Sequence, residues 1–172
     1  WLNPPILLSA PKPVLDRLCG KVSTIVKPCQ RLVLGLTGAI ASLKMLPLVM
    51  ELQACFADHV DVVLTESARS LVKPEAISYL GACVWTDDNA TQNESNVPHL
   101  HLAKSAQLIA VMPASAHTLQ KIAQGTCNDL LSLTISATSA PVVLFPAMNE
   151  AMWRNPAIQR KADSTMKCNA VK

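Results

Sequence analysis

Four short runs hold the residues whose types and spacing could do chemistry, and each closes an apolar stretch. Pro113-Ala-Ser-Ala-His-Thr118 follows LIAVM, and Pro146-Ala-Met-Asn149 follows VVLF. Gly35-Leu-Thr-Gly38-Ala-Ile-Ala-Ser42 closes RLVLGL, and Thr65-Glu-Ser67 follows VDVVL. Gly38 allows close backbone approach, and a helix starting there would offer free N–H groups to an anion. The hydroxyls of Thr37, Ser42, Thr65 and Ser67 suit phosphate oxygens. The two proline-led runs offer small and polar groups to the edge of a flat heterocycle, and each proline is expected to stop its strand. The glycine pattern is neither GxGxxG nor GxxxxGK[ST], and hydroxyls flank Glu66 where a dinucleotide site wants an acid for a ribose. A mononucleotide fits this set better than a dinucleotide. His117 raises a separate question: whether it reacts or only binds.

These runs need elements to position them. Apolar segments at 31–36, 60–64, 83–85, 108–112 and 142–145 read as strands. Between them the pattern predicts a helix over 39–56 that Pro47 kinks or restarts, a short one from Ser67, and one over 74–80 with proline in its first turn. Further helices are expected over 116–123 and 129–137, separated by Gly125, with Asn128 placed to cap the second. The polar stretch 87–98 reads as a loop. Continuously apolar strands alternating with helices mark a parallel sheet covered on both faces. Ligands bind such sheets beyond the carboxyl ends of the strands, where all four runs lie. Residues 1–30 read as a Pro-rich arm that packs on the domain or on a neighbour, with one short helix in LSAPKPVLDRLCG. Residues 31–160 form the domain and 161–172 a tail.

Composition narrows the function classes. The chain has 172 residues, half of them hydrophobic, and a net charge of +3 at pH 7. Lys and Arg are scattered, so no nucleic-acid partner is expected. No apolar run reaches the roughly 18 residues that span a bilayer. The first residues lack a basic start and carry two prolines, so no signal peptide is read and a cytoplasmic setting is expected. The six cysteines show no CxxC pair and no histidine at metal spacing, so no metal site is expected. Cys55, Cys83 and Cys127 are read as small buried hydrophobes in a reducing compartment.

As an ordered set the runs resemble the homo-oligomeric flavin-containing cysteine decarboxylases. That family includes lanthipeptide and thioamitide peptidyl-cysteine decarboxylases and phosphopantothenoylcysteine decarboxylase. The resemblance covers residues 31–159: GLTGAIAS, VVLTESA, VPHLHLAKSAQLIAVMPASAHT, KIAQGTCNDLL and FPAMNEAMWRNP. It implies a Rossmann-like (flavodoxin-like) parallel sheet with helices on both faces. It also implies FMN as cofactor, and trimers that can build dodecamers. Phosphate contacts would fall on Gly38, Ala39, Ser42, Thr65 and Ser67. The flavin ring would lie near Pro113, Ser115, Ala116 and Met148. The family's active-site histidine aligns with His99, not His101, and Asn149 and Met152 fall on substrate-binding positions.

The implied chemistry is sound from first principles. A carboxylate on a saturated carbon leaves reluctantly. Oxidising the cysteine CH2–SH to a thioaldehyde creates an acceptor for the electron pair, so carbon dioxide departs and an enethiolate remains. His99 is the candidate base.

Two departures from the family refine the reading. His117 replaces the family's Asn, and a protonated imidazole there would attract the substrate's carboxyl end. Cys168 is followed by Asn, not by the glycines that accompany the proton-donating cysteine of the coenzyme A enzyme. Both favour oxidative decarboxylation of a C-terminal peptide cysteine, for an aminovinyl-cysteine ring. A partner enzyme is then expected to cyclise the reactive enethiol. The alternatives are phosphopantothenoylcysteine decarboxylase and a non-catalytic flavin-binding regulatory subunit.

Overall fold

The computed structural model describes residues 6–7, 26–88 and 97–168, with side chains over 26–88 and 97–165. Most of the expected arm and its short helix, the loop residues 89–96, the Cys168 side chain and residues 169–172 lie outside the described residues.

Six strands form one sheet: β1 Ile6–Leu7, β2 Cys29–Leu36, β3 Ala57–Leu64, β4 Cys83–Trp85, β5 Leu108–Ala114 and β6 Val142–Pro146. Their spatial order is β1-β6-β5-β2-β3-β4. The strands from β2 to β6 are parallel, and β1 lies antiparallel on β6, with Ile6 opposite Leu144. Taken in chain order the parallel strands stack as third, second, first, fourth and fifth. The chain therefore winds outward in one direction from β2, then returns and winds in the other. The reversal falls between β2 and β5, and there a doubly wound sheet opens a crevice at its carboxyl edge.

Alternation along the strands separates two cores. Leu32, Leu34 and Leu36 of β2 and Val60, Val62 and Leu64 of β3 face Met45, Val49, Ala68 and Ile77. Val33 and Val63 face the other way, onto Leu102, Leu119, Leu131 and Ile135. Burial on both faces explains why these strands read as unbroken apolar runs. Gly35 lies under the helix Leu130–Ala137; a Cβ built there would stand 2.6 Å from Leu131 Cδ1. The missing side chain lets that helix sit close on the sheet.

The expected helix over 39–56 forms in three segments: a 3-10 turn Ile40–Lys44, an α-helix Met45–Glu51 and a π-turn Leu52–Phe56. Pro47 falls in the first turn of the α segment, so the helix restarts rather than kinks. The strands at 60–64, 83–85 and 142–145 and the helices near 67, 74 and 116 stand where expected, within a few residues at their ends.

Several expectations are corrected. Pro113 does not stop its strand: β5 runs on to Ala114, with a cis Met112–Pro113 peptide and a register shift against β6 between Val111 and Ala114. The loop expected up to residue 98 ends earlier. Pro98 opens a helix, Pro98–Ser105, with the proline in its first turn where its missing N–H is harmless. The cap of Leu130–Ala137 is Asp129 rather than Asn128, because the Asp129 carboxylate accepts from Ser132 N at 2.7 Å and Ser132 Oγ accepts from Asp129 N. Cys55, Cys83 and Cys127 are exposed, whereas Cys29 is buried, which pushes its thiol pKa up.

Candidate functional site

Two residues stitch the crevice between β2 and β5. Thr37, just beyond β2, is 1% exposed; its hydroxyl donates to Pro113 O at 2.6 Å and accepts from Ser115 N at 2.9 Å. One buried side chain thus ties the two loops on either side of the reversal. Ser42 Oγ donates to Thr37 O at 2.6 Å and closes the turn behind it. Between them the backbone passes close to the next loop: a Cβ on Gly38 would collide with Ser67 Cβ. Glycine is required here by proximity rather than by dihedral angle. Thr65 Oγ1 donates to Leu36 O at 3.2 Å, which fixes the end of β3 beside the end of β2.

Beyond β5, Ser115 caps the helix Ala116–Gln124, its Oγ accepting from Thr118 N at 3.3 Å. Gly125, at φ 65°, ends that helix in the left-handed conformation. Beyond β6, Asn149 Oδ1 accepts from Ala151 N at 2.7 Å and opens the short helix Glu150–Trp153.

These loops enclose two adjoining pockets. The first, about 440 Å³, is the more polar of the two, with Thr65, Ser67, His117, Thr118, Lys121 and Asp129 among its lining. The second, about 390 Å³, is lined chiefly by Ala39, Ile40, Ala41, Ala147, Met148 and Asn149. Gly38, Ser115, Ala116 and Met152 line both, so the two are halves of one recess.

The polar half carries a fixed charge pattern. Lys121 Nζ meets Asp129 Oδ2 at 2.7 Å, with side chains only 17% and 13% exposed. Burial alone would raise the Asp129 pKa, but bonds from Lys121 and Ser132 outweigh it and hold the carboxyl below its ordinary range. Asp87 Oδ1 accepts from Leu130 N at 2.7 Å, and Glu66 pairs with Arg69 at 2.9 Å.

The structure brings together Gly38, Ala39, Thr65, Ser67, Ser115, Ala116, His117, Met148, Asn149 and Met152. Ser42 and Pro113 are buried behind the wall, and their polar atoms bond to Thr37. His99 lines neither pocket. It stands in the first turn of Pro98–Ser105, whose start lies at the carboxyl edge of the sheet because the helix leads back into β5. His101, on the same helix, packs its ring on Trp85 at 5.9 Å between centroids. Lys121, Asp129, Asp87 and Ile40 line the recess without having been singled out by sequence. A signal existed for Lys121: it follows His117 by four residues and so shares its helix face. Among the described residues no cluster of His, Cys, Asp or Glu suits a metal ion, and no helix is long and apolar enough to cross a membrane.

A doubly wound sheet with a two-part recess at its reversal point, polar on one side and apolar on the other, is built to hold a mononucleotide carrying a flat ring. The chain belongs to the Flavoprotein family, whose model matches residues 23–171. It is 36% identical over 129 residues to the "Probable thymidylate synthase" of Schizosaccharomyces pombe, covering 72% of this chain and 21% of that protein. It is 38% identical over 132 residues to the coenzyme A biosynthesis bifunctional protein CoaBC of Bacillus subtilis, covering 76% of this chain and 32% of that protein. The chain thus spans between a fifth and a third of the length of these curated relatives. Among solved structures it resembles the FMN-dependent cysteine decarboxylase TvaF from thioviridamide biosynthesis. The TM-score is 0.76 at 28% identity, over 82% of this chain and 86% of that one.

Proposed function

We propose that this chain is an FMN-dependent decarboxylase acting on the C-terminal cysteine of a ribosomal precursor peptide, which it converts to an enethiol for aminovinyl-cysteine formation. The observation that carries this reading is the two-part recess, which residues of all four sequence runs line and whose halves share Gly38, Ser115, Ala116 and Met152.

The residues present fit the cofactor. Gly38 lets the first loop close against Ser67, and Gly38, Thr65 and Ser67 line the same polar half of the recess. Gly38, Ala39, Thr65 and Ser67 would hold the phosphate, and Ser42 would act by fixing Thr37. Ser115, Ala116 and Met148 would line the ring, with Pro113 shaping the wall behind them. A bound flavin supplies the two-electron oxidation of CH2–SH to the thioaldehyde that decarboxylation needs. Around it the chain's own groups bind and orient. Asn149 and Met152 would contact the substrate, and His117 would face its carboxyl end. His99 is assigned the proton transfer. A homo-oligomer would bring it to the recess of a neighbouring copy, and an exposed apolar stripe of Ile40, Leu43 and Met50 begins at that recess.

The match to CoaBC favours a second reading, decarboxylation of phosphopantothenoylcysteine. Mass spectrometry of both substrates with the purified protein in air separates the two. Loss of carbon dioxide and two hydrogens from a Cys-terminated peptide, absent in His99→Asn, is the expected result. Loss of carbon dioxide alone from the pantothenoyl compound would replace the first reading with the second. Bound flavin with neither product would sink both.

A further inference from the structure

Lys121 is the one Lys or Arg among the described residues lining the polar half of the recess. It lies one helical turn after His117, and the two present one face of Ala116–Gln124 to the same pocket. We infer that Lys121, held in place by Asp129, anchors the α-carboxylate of the substrate's cysteine. That group is common to a peptide terminus and to a pantothenoylcysteine, so the inference rests on the cysteine decarboxylase reading but not on the choice between the two substrates.

The anchor is preorganised. Asp129 Oδ1 is fixed by Ser132 N at 2.7 Å in the capping box, and Oδ2 holds Lys121 Nζ at 2.7 Å. An ammonium has three donors, and Asp129 takes one. The protein gives the other two no acceptor among the described residues. The pair lines the pocket, so those two donors are open to a ligand.

The surrounding charges add selectivity of position. Glu66 and Asp87 also line the pocket, with their carboxylates engaged by Arg69 and by Leu130 N. These carboxylates disfavour an anion on their own side of the pocket, so the substrate carboxylate is drawn toward Lys121. The pairing also suits the bond to be broken. When the Cα–C bond cleaves, its electron pair moves toward the thioaldehyde sulfur and the carboxylate leaves as neutral carbon dioxide. An isolated cation would oppose that loss of charge, whereas a Lys–Asp pair has no net charge and can orient the group through hydrogen bonds.

The test uses flavin-loaded protein and a pentapeptide ending in serine, which cannot be oxidised to a thioaldehyde, as free acid and as amide. Binding is read from the flavin absorbance. Wild type is expected to prefer the acid by about tenfold or more, the range of one charge-assisted hydrogen bond. Lys121→Met should lose the preference while its amide affinity is kept, and Lys121→Arg should restore part of it. Retention of the acid preference in Lys121→Met would overturn the inference. So would acid and amide affinity falling together, which marks a structural role. If wild type binds neither peptide, pantothenoyl-serine and its amide replace them, and the same loss in Lys121→Met is expected. Failure of wild type to bind any of the four ligands, with flavin bound, would instead remove the decarboxylase reading and the inference with it.

Discussion

Thr37 shows how much one hydroxyl can organise. It is buried, and it bridges Pro113 O and Ser115 N across the reversal point of the sheet. Thr37→Val keeps the shape and leaves both partners without it. The expected loss is about 1–3 kcal/mol of stability by denaturant unfolding, together with weaker flavin retention. Unchanged stability would mean that water replaces the hydroxyl. Gly38 acts by what it lacks. Gly38→Ala would drive a methyl into Ser67 Cβ, and because the obstacle is a Cβ, Ser67→Ala cannot relieve it. Gly38→Ala is expected to purify without flavin, and the double variant Gly38→Ala with Ser67→Gly to regain some of it. Flavin content per chain, read by absorbance, decides. Equal flavin in the single variant would show that the turn yields without cost.

At the scale of elements, Leu130–Ala137 joins the core to the site. Its apolar face rests on Gly35 and Val33, while its capping residue Asp129 holds Lys121 in the recess. The Asp129 carboxyl is held below its ordinary range in the folded state, so the unfolded chain takes up its proton first as pH falls. Its stabilisation is therefore fully present above the ordinary carboxylate pKa and fades as pH drops through the lower folded value. Asp129→Ala is expected to cost about 1–2 kcal/mol at neutral pH, by loss of cap and pair, with the gap to wild type narrowing below about pH 4. Urea unfolding of flavin-free protein at both pH values measures it, and a gap independent of pH would show that the charge is not what stabilises. The sequence made the strands and most helices legible because burial on two faces leaves continuous apolar runs. It hid Pro98–Ser105 because a proline that opens a helix looks, after a polar stretch, like the end of a loop. It misplaced the cap by one residue because Asn128 and Asp129 are both capping types, and only the bond to Ser132 N separates them. The binding residues were legible at strand ends, where topology sends ligands. The pairing of Lys121 with Asp129 was not, because an ion pair eight residues apart has no local signature; only the i,i+4 spacing from His117 pointed to Lys121.

At the scale of the molecule, the sheet delivers ten of the expected site residues to one recess but leaves His99 on the flank of a helix beyond it. The surface offers a reason to look to a second copy. Ile40 is 79% exposed, Leu43 55% and Met50 56%, and they recur at helical spacing along 40–50. Such a stripe is costly to leave in water, and it starts at Ile40, which already lines the apolar half of the site. A second copy docked there would cover the stripe and close one side of the recess. Leu43 and Met50 lie on the stripe outside the recess lining, so they test assembly without touching ligand contacts. Leu43→Lys with Met50→Lys is expected to reduce the mass measured by light scattering to that of one chain, with the helix content unchanged by circular dichroism. Decarboxylation should fall with the assembly if His99 acts across the interface. An oligomer that persists in the double variant would place the interface elsewhere. A fully active monomer would show that His99 reaches the recess within its own chain, through a movement of Pro98–Ser105.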